Sequence, residues 1–191
     1  MGARLKTFAL ATGLFTAGCG FFMEPKPDLE NLKTAEVAGL SVKHPGNWKT
    51  ELESEDIDGV KFSSLTIESK GNAIAVVQVF EPGVPLSEEM VFDTYVEGMV
   101  EASQTEFGGV VDVALRSSED FSFEVMKSDW QGRKGVIDLK LLGEAVPHRI
   151  QTVQKHSDEK TIIIVAQAPV EDWKTAEPGF VAIYDGLTDS E

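Results

Sequence analysis

Few side chains in this chain could do covalent chemistry. Among 191 residues there is one cysteine, Cys19, and there are three histidines, His44, His148 and His156. A cysteine can serve as a nucleophile or metal ligand once it is a thiolate. As the only cysteine, Cys19 has no partner for an internal disulfide. Metal sites need clustered ligands, such as two histidines one helical turn apart. The three histidines are not so spaced, and they read as surface residues. Asp56, Asp58 and Gly59 fall at calcium-loop spacing, but Ser54 stands at the first ligand place and Leu65 where a bidentate Glu belongs. That stretch reads as a solvated acidic turn. There is no Gly-x-Ser-x-Gly nucleophile elbow. Gly132-Arg133-Lys134-Gly135 is not a phosphate loop. Carboxylates are plentiful, and Glu89, Asp93, Glu97 and Glu101 recur at one-turn spacing on a single helix face. Like charges so placed mildly repel. The face is therefore either a solvated surface or a contact for a basic partner. Trp48, Trp130 and Trp173 could line a ligand pocket, with core packing the default. No catalytic residue, metal or cofactor is assigned.

The first nineteen residues give Cys19 a context. Arg4 and Lys6 make a short positive start, Thr7 to Phe15 are mostly apolar, and Thr16, Ala17 and Gly18 are small. That is the layout of a secretory signal peptide. The apolar run is too short for a transmembrane helix, which needs about 20 residues. Ala17, Gly18 and Cys19 resemble the end of a bacterial lipobox; Thr16 departs from the Leu preferred there. The resemblance implies cleavage after Gly18 and diacylglycerol, with palmitate-type acyl chains, on Cys19. Plain secretion is the alternative, but it would leave a lone thiol in an oxidising compartment. In enterobacterial lipoproteins Asp after the cysteine retains the protein at the inner membrane; Gly20 stands here, which favours an outer membrane, the domain facing the periplasm.

Removing residues 1–18 leaves 173 residues, about one domain. It leaves 15 basic against 32 acidic side chains, a charge of −17. Such a surface repels phosphate backbones and anionic headgroups. Nucleic acid is thereby disfavoured, and contact with the membrane is expected through lipid alone.

The positioning elements follow from pattern. Residues 19–35, with Pro25 and Pro27, read as a flexible tether. A single globular domain is expected over 36–191. Val37, Leu40 and Val42 belong to a short strand, His44 to Asn47 to a turn, and Trp48 to Glu53 to a second strand. Ser54 to Gly59 reads as a hairpin loop, and Phe62, Leu65 and Ile67 mark a third strand. Ala73 to Phe80 (AIAVVQVF) and Thr161 to Ala168 (TIIIVAQA) are apolar on both faces, as strands covered from both sides are. Ser87 caps a helix whose rows Val91, Tyr95, Met99 and Phe92, Val96, Val100 form one apolar face; it should end before Gly108-Gly109. Strands are expected at about 110–117, 121–130, 134–142 and 147–156. A last helix should run from Pro178 to Leu187. Short turns imply antiparallel neighbours. The expected class is α+β, a central antiparallel sheet flanked by helices in an α/β/α sandwich.

The order of elements resembles the PsbP-like superfamily, including the bacterial DcrB-type lipoproteins. Leu40 to Trp48 (LSVKHPGNW) is similar to that family's opening, with His44 where Tyr or Phe is commoner. The helix from Ser87, the paired strands around Gly135 and Arg149, TIIIVAQA and the final helix complete the resemblance over about 36–188. It implies a non-catalytic binding or accessory role toward a protein partner, by analogy of fold alone. The alternatives are a carrier of a small apolar ligand between helix and sheet, which an apolar cavity there would favour, and an enzyme, which convergent acids with shifted pKa values would favour.

Overall fold

The computed structural model describes residues 24–105, 111–125, 128–141 and 144–190. The signal segment, Gly18 and Cys19 lie outside them. Among the described residues ten strands and two helices run in the order β1 Lys33–Val37, β2 Leu40–His44, β3 Lys49–Ile57, β4 Val60–Glu68, β5 Ile74–Glu81, α1 Glu88–Thr105, β6 Val111–Val125, β7 Ser128–Leu141, β8 Glu144–His156, β9 Thr161–Pro169, α2 Trp173–Asp185 and β10 Leu187–Asp189. Seven strands form one antiparallel sheet in the order β3-β4-β5-β9-β8-β7-β6. The α+β class with a central antiparallel sheet holds.

The two doubly apolar runs are β5 and β9, paired at the sheet centre from Ile74↔Gln167 to Phe80↔Thr161. Their alternate residues feed two cores. Ile74, Val76, Phe80, Ile163 and Val165 face α1, where they meet Val91, Phe92, Tyr95 and Met99. Ala75, Val77, Val79, Ile162, Ile164 and Ala166 face α2, joining Trp48, Trp173, Phe180 and Ile183. α1 starts as expected: the Met90 amide donates to Ser87 Oγ at 3.1 Å. Its apolar stripe contributes about 1.5–3 kcal/mol for each large side chain buried. Repulsion along the acidic face costs only a few tenths per pair, so the stripe decides that the helix forms.

Four expectations are corrected. First, β2 is not in the main sheet. It is the middle of a separate three-stranded sheet, β1-β2-β10, beside α2. Val37 does not share a strand with Leu40 and Val42, because β1 and β2 meet in a tight turn at Ala38-Gly39, both with positive φ, that sets Val37 opposite Leu40. Second, β3 runs to Ile57, and the acidic loop shrinks to a two-residue turn at Asp58-Gly59 (φ 53° and 86°). Asp-Gly suits positive φ at both places, matching the strand twist, and Asp56 Oδ1 accepts from the Gly59 amide at 3.1 Å.

Third, the four strands expected over 110–156 are three. β6 and β7 pair continuously, with one register shift between Leu115 and Ser117. The charged residues that look like a break are cross-strand partners. Glu119 meets Lys134 at 3.1 Å, Asp120 meets Arg133 at 3.4 Å, and Arg116 grips Asp138 at 2.8 Å. Exposed pairs of this kind add little stability each, but they favour this register. Fourth, α2 begins at Trp173 and carries Pro178 inside it. Pro178 is exposed, as is Lys174, whose carbonyl it leaves without an amide donor, so that carbonyl can be met by water.

Of the stretch 19–35 read as a tether, residues 24–35 are described, and they are held against the domain. Glu24 is buried, and its Oε2 accepts from the amides of Asn72 at 2.6 Å and Ala73 at 3.0 Å. Asn47 accepts from the Asp28 amide and donates to the Lys26 carbonyl. The folded unit therefore begins at or before Glu24. Proline density suggested a free chain, but residues 24–28 are hydrogen-bonded to the domain.

Candidate functional site

α1 holds Glu89, Asp93, Glu97 and Glu101 in solvent, opposite its buried residues. The four are not equivalent. Glu89 faces the Arg133 guanidinium at 3.5 Å. Asp93, Glu97 and Glu101 have no ion-pair partner among the described residues. Nor do any described residues form a cluster able to hold a metal ion.

Behind the first two turns of α1 lies a cleft of about 50 Å³, lined by Gln78, Phe80, Leu86, Met90, Tyr95 and Ile163 with their neighbours. Met90 is 49% exposed at its rim. The opposite wall is the segment joining β5 to α1, and it is firmly held. The Val84 amide donates to Thr161 Oγ1 at 2.9 Å, and the Thr161 hydroxyl donates to the Val84 carbonyl at 2.7 Å. His156 Nδ1 lies 2.7 Å from the same oxygen. The hydroxyl proton is already spent on Val84, so His156 Nδ1 is the donor. Gln154 Nε2 donates to the Leu86 carbonyl at 2.8 Å, and the Gly83 amide donates to the Asp158 carbonyl at 3.0 Å.

Two glutamines interrupt the apolar central strands, Gln78 in β5 and Gln167 in β9, and both are buried on the α1 face. Gln167 Oε1 accepts from the Tyr95 hydroxyl at 2.7 Å. Burial pushes the Tyr95 phenol up, so it remains a donor. Gln78, 6% exposed, has no side-chain partner among the described residues and lines the cleft. Gln154, across Ile163 from Gln78 in the strand register, keeps a buried Oε1 unpartnered. The sequence readings above do not include these groups. The signal available was one polar residue inside each run otherwise apolar on both faces.

The three tryptophans are buried in the core on the α2 side, not at this cleft. His44 is buried too, correcting its reading as a surface residue. β2 alternates, and His44 points inward with Leu40 and Val42. Burial, with Lys33 across the strand pair, holds its imidazole below the ordinary histidine range; its contact with the Pro45 carbonyl opposes the shift. His148 is lowered in the same way, mainly by burial.

A lowered folded-state pKa means that the unfolded chain binds protons first. Stability should be intact above about pH 6.5 and fall as pH drops below it, by up to about 1.4 kcal/mol per pH unit for each histidine. Glu68, raised by burial and by Glu51, acts with the opposite sign above about pH 4.5. Urea titrations between pH 7.5 and 5.5 should show the loss, and His44→Phe should flatten it. An unchanged slope in that variant would exclude His44 as its source.

No family model matches this chain, and no curated protein matches it. Among solved structures it is similar to cyanobacterial PsbP from Synechocystis, with 10% identity, a TM-score of 0.47, and coverage of 91% of this chain and 98% of that one. A Bacteroides thetaiotaomicron structure matches at 10% identity and TM-score 0.40, over 81% of this chain and 46% of that one. A Pseudomonas aeruginosa protein of unknown function matches at 10% identity and TM-score 0.33, over 84% and 99%.

Proposed function

We propose that this chain is an envelope lipoprotein of DcrB type, cleaved after Gly18 and lipidated on Cys19, whose domain is a non-catalytic binding module for a basic protein partner. The observation that carries the reading is the α1 face. Asp93, Glu97 and Glu101 stand in solvent without ion-pair partners among the described residues, in a domain of charge −17. Such a field steers basic partners and speeds encounter by roughly ten- to a thousand-fold. No described helix is long and apolar enough to cross a membrane, which is compatible with a lipid anchor and does not require one.

Anchoring would also orient the domain. Glu24 is bound at the turn between β4 and β5, so four residues, or five Cα–Cα steps, separate it from Cys19. They span at most roughly 17 Å. β5 then leads away from that turn toward the cleft for eight residues, about 25 Å. The cleft and the start of α1 would face away from the bilayer.

The cleft favours the second reading, a carrier of a small apolar ligand. Its volume is well below the roughly 300 Å³ at which ligand pockets begin, so the partner reading leads.

The test uses a partner captured by crosslinking in intact envelopes. Glu97→Lys with Glu101→Lys should slow its association by about tenfold or more, and rising salt should slow it as the Debye length shrinks from about 10 Å at 0.1 M to about 3 Å at 1 M. Glu53→Lys with Glu55→Lys, on exposed β3, should matter less. Association that ignores salt and tolerates the helix reversals would leave the acidic face a solubility device.

A further inference from the structure

The cleft and the acidic face meet on α1. Met90 and Thr94 line the cleft. Asp93 is one turn from Met90, and Glu97 one turn from Thr94, so both acids stand beside its mouth. Inside, the walls are apolar apart from Gln78, Thr94 and Tyr95; the Tyr95 hydroxyl is held by Gln167, and the Gln78 side chain has no hydrogen-bond partner among the described residues. An amide that faces a cleft without a protein partner is left to water, whose hydrogen bonds an occupant must replace.

We propose that this cleft is a socket for one side chain of a basic partner segment. The side chain has an apolar body and a single hydrogen-bonding tip, as tyrosine has, and the tip meets the Gln78 amide. Flanking lysines or arginines meet Asp93 and Glu97. This rests on the partner reading above and names the contact through which it acts.

Three observations select that occupant. The volume, about 50 Å³, exceeds the need of one water but is below the roughly 150 Å³ of a cavity that encloses benzene. It takes the hydroxyl end of a phenol whose ring stands in the mouth against exposed Met90, not a lipid or cofactor. The amide penalises a purely apolar occupant, which would displace water from Gln78 and offer nothing in return. The acids at the mouth favour cationic neighbours and oppose anionic ones. The wall pinned by Thr161 and Gln154 makes the socket largely preformed, and exposed Met90 is a wall that can adjust.

The test is methyl NMR of Met90 in the purified full chain in mild detergent. The probes are capped pentapeptides with Tyr, Phe or Ser at the centre and two lysines on each side, and a tyrosine peptide flanked by glutamates. The lysine-flanked Tyr peptide should shift the Met90 methyl saturably. It should bind about tenfold more tightly than the Phe and Ser peptides, the first difference reporting the amide and the second the apolar contact. Gln78→Leu should bring Phe level with Tyr or above it. Thr94→Trp, which plugs the mouth from the half-buried side of α1, should erase the Tyr preference even if Gln78→Leu does not fold. Asp93→Lys with Glu97→Lys should weaken all lysine-flanked peptides alike. Equal, salt-sensitive binding of Tyr, Phe and Ser peptides would overturn the socket while leaving the acidic-face reading standing. Equal binding of the glutamate-flanked peptide would overturn it in favour of a small-ligand carrier. Absence of any binding would also overturn it, and the helix reversals against the captured partner would then judge the acidic face separately.

Discussion

Trp48→Ala should lower the free energy of unfolding by about 3–5 kcal/mol, the range for removing a buried aromatic side chain. Trp48 is 2% exposed and lies at the junction of the turn after β2, strand β3 and helix α2. Its ring meets Phe180 edge-on at 5.5 Å, and Phe180 in turn packs on Trp173 at 5.1 Å. Gly179 makes this approach possible: a methyl group there would sit 2.7 Å from Trp48 Cζ2. The atoms met belong to a buried ring and to Pro27 rather than to the end of a flexible chain, so little there can give. Gly179→Ala should therefore destabilise by about 1–3 kcal/mol through overpacking. The two changes should not add. In a Trp48→Ala background the new methyl enters the space the indole leaves, so the double variant should be more stable than the sum implies. Denaturant midpoints of the four proteins would measure this. A cost below about 1 kcal/mol for Trp48→Ala would mean that the indole contributes little packing in solution.

Cys19→Ser should release the protein from membranes almost completely. Two acyl chains anchor stably, whereas the domain surface, at −17, is repelled by anionic headgroups and offers no substitute. Fractionation after a salt wash reads the result, and a mutant that still sediments with membranes would defeat the anchor assignment. The short leash adds a geometric consequence. A fluorophore at Lys70, in the turn that holds Glu24, should be quenched by a nitroxide placed at the headgroups. A label at Glu88, beyond the far end of β5, should not be reached. Equal quenching at both sites would mean that the domain lies on its side or is not held by the leash.

Much of this molecule was legible locally. The runs AIAVVQVF and TIIIVAQA identified the two central strands, because a strand apolar on both faces has to be covered on both. Ser87 and the two apolar rows after it placed α1, and the same periodicity put Asp93, Glu97 and Glu101 in solvent. Each of these depends on a repeat carried by neighbouring residues. What depends on distant residues was not legible. Glu119 and Asp120 look like a turn until Lys134 and Arg133 stand across from them. Pro25 and Pro27 look like a tether until Glu24 is found on the amides of Asn72 and Ala73. The second sheet joins chain segments about 150 residues apart, Leu187 pairing with Val42. Gln78 and Gln167 read alike in sequence, each one polar residue in an apolar run. Only the tertiary structure sets the Tyr95 hydroxyl against Gln167 and leaves Gln78 facing a cleft. Burial follows from local pattern, but the partner of a buried polar group is a matter of three-dimensional packing. That is where the sequence stops and the candidate site begins.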